Sequence, residues 1–140
     1  MHVQPYLHFN GRCEEAIAFY REALGAEVTL LMRFKDAPSD AGVAPENAEK
    51  VMHASMRIGE TTLLLSDGRC QGSPSFEGFS LSLSPADDAE AERLWKALGV
   101  GGQVIMPFGP TFFASRFGMT TDRFGVPWMI VTAPATAPVR

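Results

Sequence analysis

"CEEAIAFYREALG", Cys13 to Gly25, reads as an amphipathic helix. Apolar side chains at Ala16, Ile17, Phe19, Tyr20 and Leu24 recur at the spacing of one buried face. Glu14 and Glu15 sit in the first turn, where the helix dipole favours negative charge, and Gly25 closes the segment. Working outward, "VQPYLHF" before it alternates as a strand. Val3, Pro5, Leu7 and Phe9 fall on one face and Gln4, Tyr6 and His8 on the other. After the helix, "AEVTLLMRF" reads as a strand, and "KVMHASMRIG" with "TTLLLSD" as a hairpin about Gly59-Glu60.

That order is then written a second time. "GFSLSLS" alternates as a strand, "PADDAEAERLWKALG" is a helix with an acidic start and a terminal glycine, and "GQVIMPF" is the next strand. "FFASRFGMTTD" and "VPWMIV" form a hairpin about Arg123–Gly125. A slide of 74 residues lays "REALG" (21–25) over "WKALG" (95–99) and "PYLHF" over "FSLSL". The expectation is one domain over residues 1–140 made of two βαβββ modules, 1–67 and 78–133, with the Gly/Ser/Pro-rich linker 68–77 between them. Each module covers one face of a four-stranded sheet with a single helix and leaves the other face to a partner, either the second module or another chain. Two curved sheets facing each other would enclose a cleft, the natural place for a ligand.

Bulk properties narrow the function. With 140 residues, 46% hydrophobic and 20% charged, the chain suits a compact fold that needs neither disulfides nor a metal to form. A net charge of −4 and scattered Lys and Arg argue against nucleic acid as a partner. Cys13 and Cys70 lie in no CxxC or Cys/His cluster. No apolar run approaches the length of a membrane span, and the N-terminus lacks a signal-peptide pattern, so a cytoplasmic setting and no membrane partner are expected.

The motifs "PYLHFNGRCEEAIAFYREALGAE", "VMHASMRIG", "LLLSDG", "LSLSPADDAEAERLWKALGVGGQVIMPF" and "SRFGMTTDRFGVPWMI" span nearly the whole chain. In this order they resemble the PhnB-like branch of the vicinal-oxygen-chelate superfamily, which includes glyoxalase I, bleomycin-resistance proteins and extradiol dioxygenases. The resemblance implies an α+β fold of the glyoxalase/bleomycin-resistance/dioxygenase type; a homodimer through exchanged or edge-paired sheets is expected. Domains of this branch are often filed under a 3-demethylubiquinone-9 3-methyltransferase label. Methyl transfer is not expected here, because no glycine-rich strand-to-helix loop of the kind that holds a nucleotide cofactor is present.

Metal-dependent relatives carry four ligands, two per module. The equivalent places here are Gln4 or Pro5, Leu63 or Leu64, Gly78 or Phe79, and Met129. At most one of them, Gln4, offers a donor, and a single amide oxygen does not hold a divalent ion against water. No metal and no cofactor are therefore expected. His8 and His53 with Asp67 remain an unorthodox alternative, although Asp67 points away from them in a regular strand.

The expected cleft residues are Gln4, Tyr6 and His8, whose repeat partners are Gly78, Ser80 and Ser82, together with Met129. His53, Ser55 and Arg57 share a strand face, with Ser66 opposite His53. Such a row could hydrogen-bond a small oxyanion, or use an imidazole as acid or base near neutral pH. Phe112 and Phe113 could stack on a planar ligand or serve as core or dimer contacts. Trp128 should point at its helix if Met129 points at the cleft. "KDAPSDAGVAPENAEK" (35–50) reads as a loop without regular structure, and "TAPATAPVR" as an extended tail. The expected function is binding of a small molecule, by a homodimer, without the usual metal. The alternatives are a lyase, isomerase or dioxygenase with non-standard ligands, and a protein that merely sequesters its ligand.

Overall fold

The computed structural model describes residues 1–38 and 42–133. The chain forms two compact units that divide between Pro74 and Ser75, inside the expected connector. Each is described by itself.

In the first unit, β1 (Tyr6–His8), α1 (Cys13–Leu24), β2 (Glu27–Arg33), β3 (Val51–Ile58) and β4 (Thr61–Ser66) build a four-stranded sheet in the order β1-β4-β3-β2. β1 runs parallel to β4, pairing Tyr6 with Leu64 and His8 with Ser66; the other pairs are antiparallel. The period-two pattern of β1 is realised: Leu7 and Phe9 are buried while Tyr6 and His8 are exposed. The strand itself is shorter than the expected 3–9, because Val3 and Gln4 lie outside the ladder and are solvated. α1 covers the face carrying Leu7, Ala54, Met56, Leu63 and Leu65. Its buried stripe is Cys13, Ala16, Ile17, Tyr20 and Ala23, so the expected Phe19 and Leu24 are displaced to its half-buried margins. Each large, fully buried side chain such as Phe9 or Tyr20 contributes about 1.5–3 kcal/mol of hydrophobic stabilisation. Gly25 takes the left-handed conformation (φ 66°) that ends the helix, and its N–H donates to the Arg21 carbonyl.

The second unit repeats the plan. β5 (Leu81–Leu83), α2 (Asp88–Gly99), β6 (Gln103–Gly109), β7 (Arg116–Thr121) and β8 (Pro127–Thr132) give the strand order β5-β8-β7-β6. β5 is shorter than the expected 78–84, and Gly78 lies before it with φ 80°. The two helices end differently. Gly99 stays helical and Gly101 (φ 78°) makes the left-handed turn, so the "ALG" match marks the last helical turn but not a shared cap. One edge strand of each sheet, β2 in the first and β6 in the second, is interrupted by register shifts, a common device at sheet edges.

The 35–50 segment is more ordered than a plain loop. Short 3-10 turns form at Phe34–Asp36 and Pro45–Asn47, and Lys35 N–H donates to the Ala48 carbonyl. Arg33 binds the Glu14 carboxylate and the Glu49 carbonyl, tying the segment to α1. Residues 39–41 of this segment and residues 134–140 of the tail lie outside the described residues.

Candidate functional site

The face of the first sheet opposite α1 carries the aromatic and imidazole side chains. β1 pairs with β4 and β4 with β3, so residues of three strands meet on this face. Tyr6 Oη lies 2.8 Å from His53 Nδ1, and the His8 ring stacks on Tyr6 with centroids 5.0 Å apart and planes 10° from parallel. The His53 ring is tilted against Tyr6 at 5.5 Å. Three of the expected residues are thus one contiguous cluster, held on a sheet rather than on loops. Partial burial holds the Tyr6 phenol above its ordinary pKa, with the Ser66 hydroxyl pulling the other way. The phenol is therefore a protonated hydrogen-bonding group at neutral pH. It can donate to an unprotonated His53 Nδ1 or accept from a protonated one.

Of the other expected residues of this unit, Ser66 adjoins the cluster beside His8, and the rest are committed elsewhere or set apart. Ser66 is buried, its hydroxyl donating to the Met52 carbonyl and accepting from Gly68 N–H. Arg57 pairs with Glu27 across the strands, so its charge is shared with a carboxylate rather than held ready for an oxyanion. Ser55 is half-buried between Leu64 and Leu30, and Gln4 is exposed ahead of β1.

Asp67 has a different task, which the alternation had indicated only by direction. It is buried, and its carboxylate accepts from Gly11 N–H and Cys13 N–H through Oδ1 and from Val51 N–H through Oδ2, each at 2.8 Å. Arg12, at the N-cap of α1, contributes no side-chain cap, and Asp67 supplies that function from the end of β4. Among the described residues no group of three His, Cys, Asp or Glu side chains is placed to hold a metal, so Asp67 does not join His8 and His53. The four positions that correspond to the family's ligands do not fit a divalent ion either: Gln4 is an amide, and Leu63 or Leu64, Gly78 or Phe79, and Met129 bring no oxygen or nitrogen side-chain donor.

In the second unit, Met129 pairs with Met119 on one side and Ser82 on the other. Trp128, one residue earlier, is buried on the α2 side, as expected, and its Nε1–H donates to Asp122 Oδ2 at 2.8 Å. Asp122 Oδ1 also accepts from Phe124 and Val126 N–H, which fixes the turn before β8. Ser80 is half-buried just outside β5 and Ser82 is exposed within it. Phe112 is fully exposed. Phe113 packs edge-on to it and to Phe117, at 5.1 and 5.0 Å. Met106 and Met119, which the sequence reading did not single out, share the face of Met129; the period-two pattern of "RFGMTT" could have shown Met119.

Comparison with known proteins agrees with this architecture. Residues 1–131 match the family described as 3-demethylubiquinone-9 3-methyltransferase. The chain is 38% identical to Protein YjdN of Escherichia coli (strain K12) over 138 residues, covering 93% of this chain and 94% of that one. The crystal structure of protein PA1353 from Pseudomonas aeruginosa is similar at 42% identity, with a TM-score of 0.85 and coverage of 95% and 98%. The PhnB protein from Bacillus cereus shares the fold at 24% identity, with a TM-score of 0.79 and coverage of 95% and 100%. No helix among the described residues is long and apolar enough to cross a membrane.

Proposed function

This chain belongs to the 3-demethylubiquinone-9 3-methyltransferase family, in the PhnB-like branch of the vicinal-oxygen-chelate superfamily, and on that premise we propose that it binds a small molecule without the superfamily's usual divalent metal. The observation that carries this reading is the Tyr6, His8 and His53 cluster, displayed on the sheet face that α1 leaves open. A rigid strand platform with a stacked phenol and imidazole offers a flat surface for a planar group, and two polar atoms to orient it. Asp67 ties the end of β4 to β3 and α1, and the Ser66 hydroxyl binds the Met52 carbonyl beside the rings, so the strands that carry the rings are held in place before a ligand arrives.

Methyl transfer finds no support in these residues, since no glycine-rich turn leads from a strand into a helix to cradle a cofactor. We infer also that the chain works as a homodimer. The outer strand β6 exposes Val104 and Ile105, 59% and 57% accessible, along an edge of the kind that pairs with a second chain. The two free thiols, Cys13 and Cys70, support a reducing, cytoplasmic setting.

A thermal-shift screen tests the reading. Thiol conjugates, aromatic diols, antibiotics and phosphonates are presented to the protein with and without a chelator. A stabilising compound whose effect persists in chelator and is lost in His8→Ala and His53→Ala supports it. Stabilisation that requires an added divalent ion, or that survives both substitutions, overturns it.

A further inference from the structure

The open face of the first sheet has hydrogen-bond donors at one end and an apolar floor beside them. Cross-strand pairing sets Tyr6 beside Leu64, Leu64 beside Ser55 and Ser55 beside Leu30, so the four share a face. Leu64 is half-buried and Leu30 is 46% accessible, which leaves aliphatic surface running away from the rings. Leu64 and Leu30 are two strand spacings apart, roughly 10 Å, the breadth of a two-ring arene and its substituent. The neighbouring row carries His8 beside Ser66, and His53 beside Met32.

Neither row holds an acid. The Asp67 carboxylate is buried on three backbone N–H groups, and Glu27 is bound to Arg57. Arg57 lies four residues along β3 from His53, about 13 Å away. The Tyr6 phenol keeps its proton at neutral pH and finds an acceptor 2.8 Å away in His53 Nδ1. Donation into Nδ1 leaves the hydrogen of a neutral His53 ring on Nε2, directed away from the phenol, and a protonated ring carries it there too. His53 thus offers an N–H in either charge state, and His8 brings a second imidazole to the same end.

We propose that the ligand of this face is an aromatic carboxylate, a class that rests on the reading of the Tyr6 cluster as a binding surface. Its anion accepts from His53 Nε2–H, and its rings lie over the strip from Leu64 to Leu30. A hydrogen bond to an ionised acceptor is about twice as strong as a neutral one, which sets a carboxylate above its amide. A cation meets donors where it needs acceptors, and one face of the Tyr6 ring is already covered by His8.

Imidazole resonances of the wild-type protein, followed with and without excess chelator, test the class. The probes are 2-naphthoate, 2-naphthamide and 2-naphthylmethylammonium, which share a ring system and differ in charge. The carboxylate should bind about fivefold more tightly than the amide, with the ammonium weakest. It should shift the rings of His8 and His53 and leave His2, which precedes β1, in place. In His53→Leu, which keeps the floor apolar, the carboxylate should lose its advantage over the amide. Amide or ammonium binding as tightly as the carboxylate at these rings, in chelator, overturns the anionic class and leaves metal-free binding standing. A carboxylate advantage kept in His53→Leu, or no shift at His8 and His53 with any probe in either condition, also overturns it. Shifts that appear only without chelator remove it together with the metal-free reading.

Discussion

Tyr6 and His53 lie 47 residues apart in the chain, yet the Tyr6 hydroxyl and His53 Nδ1 are 2.8 Å apart. Three strands produce this contact. Tyr6 pairs with Leu64, Leu64 with Ser55, and His53 is two residues from Ser55 on the same face.

Replacing Tyr6 with Phe keeps the ring that stacks on His8 and removes the oxygen that meets His53. Ligand binding at this face should weaken by about 0.5–1.5 kcal/mol, roughly two- to tenfold, if one neutral hydrogen bond is lost. Tyr6→Ala should cost more, because it also removes the stacking surface. Calorimetric titration of the two variants with one screening hit checks the order. Equal effects, or none, would show that the ring and its hydroxyl are not in contact with the ligand.

Asp67→Asn should destabilise the protein by about 2–4 kcal/mol, because an amide cannot accept at both oxygens from three buried N–H groups. The observation behind this is the triple acceptance from Gly11, Cys13 and Val51. Urea unfolding followed by circular dichroism measures it. A change below ~1 kcal/mol would mean that water or relaxed backbone replaces the carboxylate.

Gly118→Ala should also destabilise, by about 1–3 kcal/mol, through overpacking. A Cβ there would come within 2.7 Å of Trp95 Cζ3 and 3.1 Å of Phe108 Cα, with the two rings themselves stacked at 5.3 Å. Thermal unfolding compared with Gly109→Ala, where the added methyl meets nothing within 4 Å, isolates the steric part. Similar melting temperatures for the two would contradict this packing.

Burial, aided by the nearby Asp67 and Glu14 carboxylates, pushes the Cys13 thiol well above its ordinary value of about 9. The folded state therefore keeps this proton at pH values where the unfolded chain has lost it. The stabilising contribution is thus fully present below the unfolded thiol's pKa and is lost progressively as pH rises above it, towards the folded value. Between pH 8.5 and 11 the wild type should lose stability more steeply than Cys13→Ala, when both are unfolded in urea at each pH. Parallel slopes would show that Cys13 does not ionise on unfolding in this range.

The repeated βαβββ order was legible because both signals are local. Period-two alternation in "PYLHF" and a 3.6-residue stripe in α1 survive without knowledge of the partner element. Tyr6 and His8 on one face, and Trp128 opposite Met129, follow from the same alternation. What the chain concealed depends on long-range pairing. Asp67 reads as the last residue of a strand, and only the approach of the α1 N-terminus turns it into that helix's cap. Ser66 looks like a cleft hydroxyl until the Met52 carbonyl is placed beside it. Arg57 appears available until Glu27 is brought opposite. The shared face of Met106, Met119 and Met129 requires the register of three strands, and two shifts in β6 hide that register from any counting along the sequence.

The most direct test is calorimetric titration of the best screening hit into the wild-type protein and into a Tyr6→Phe/His53→Ala double variant, both in excess chelator. The expected result is one site per chain in the wild type, undiminished by the chelator, and at least tenfold weaker in the double variant. Binding that disappears in chelator, or that is equal in the two proteins, would contradict a metal-free site on the Tyr6 face.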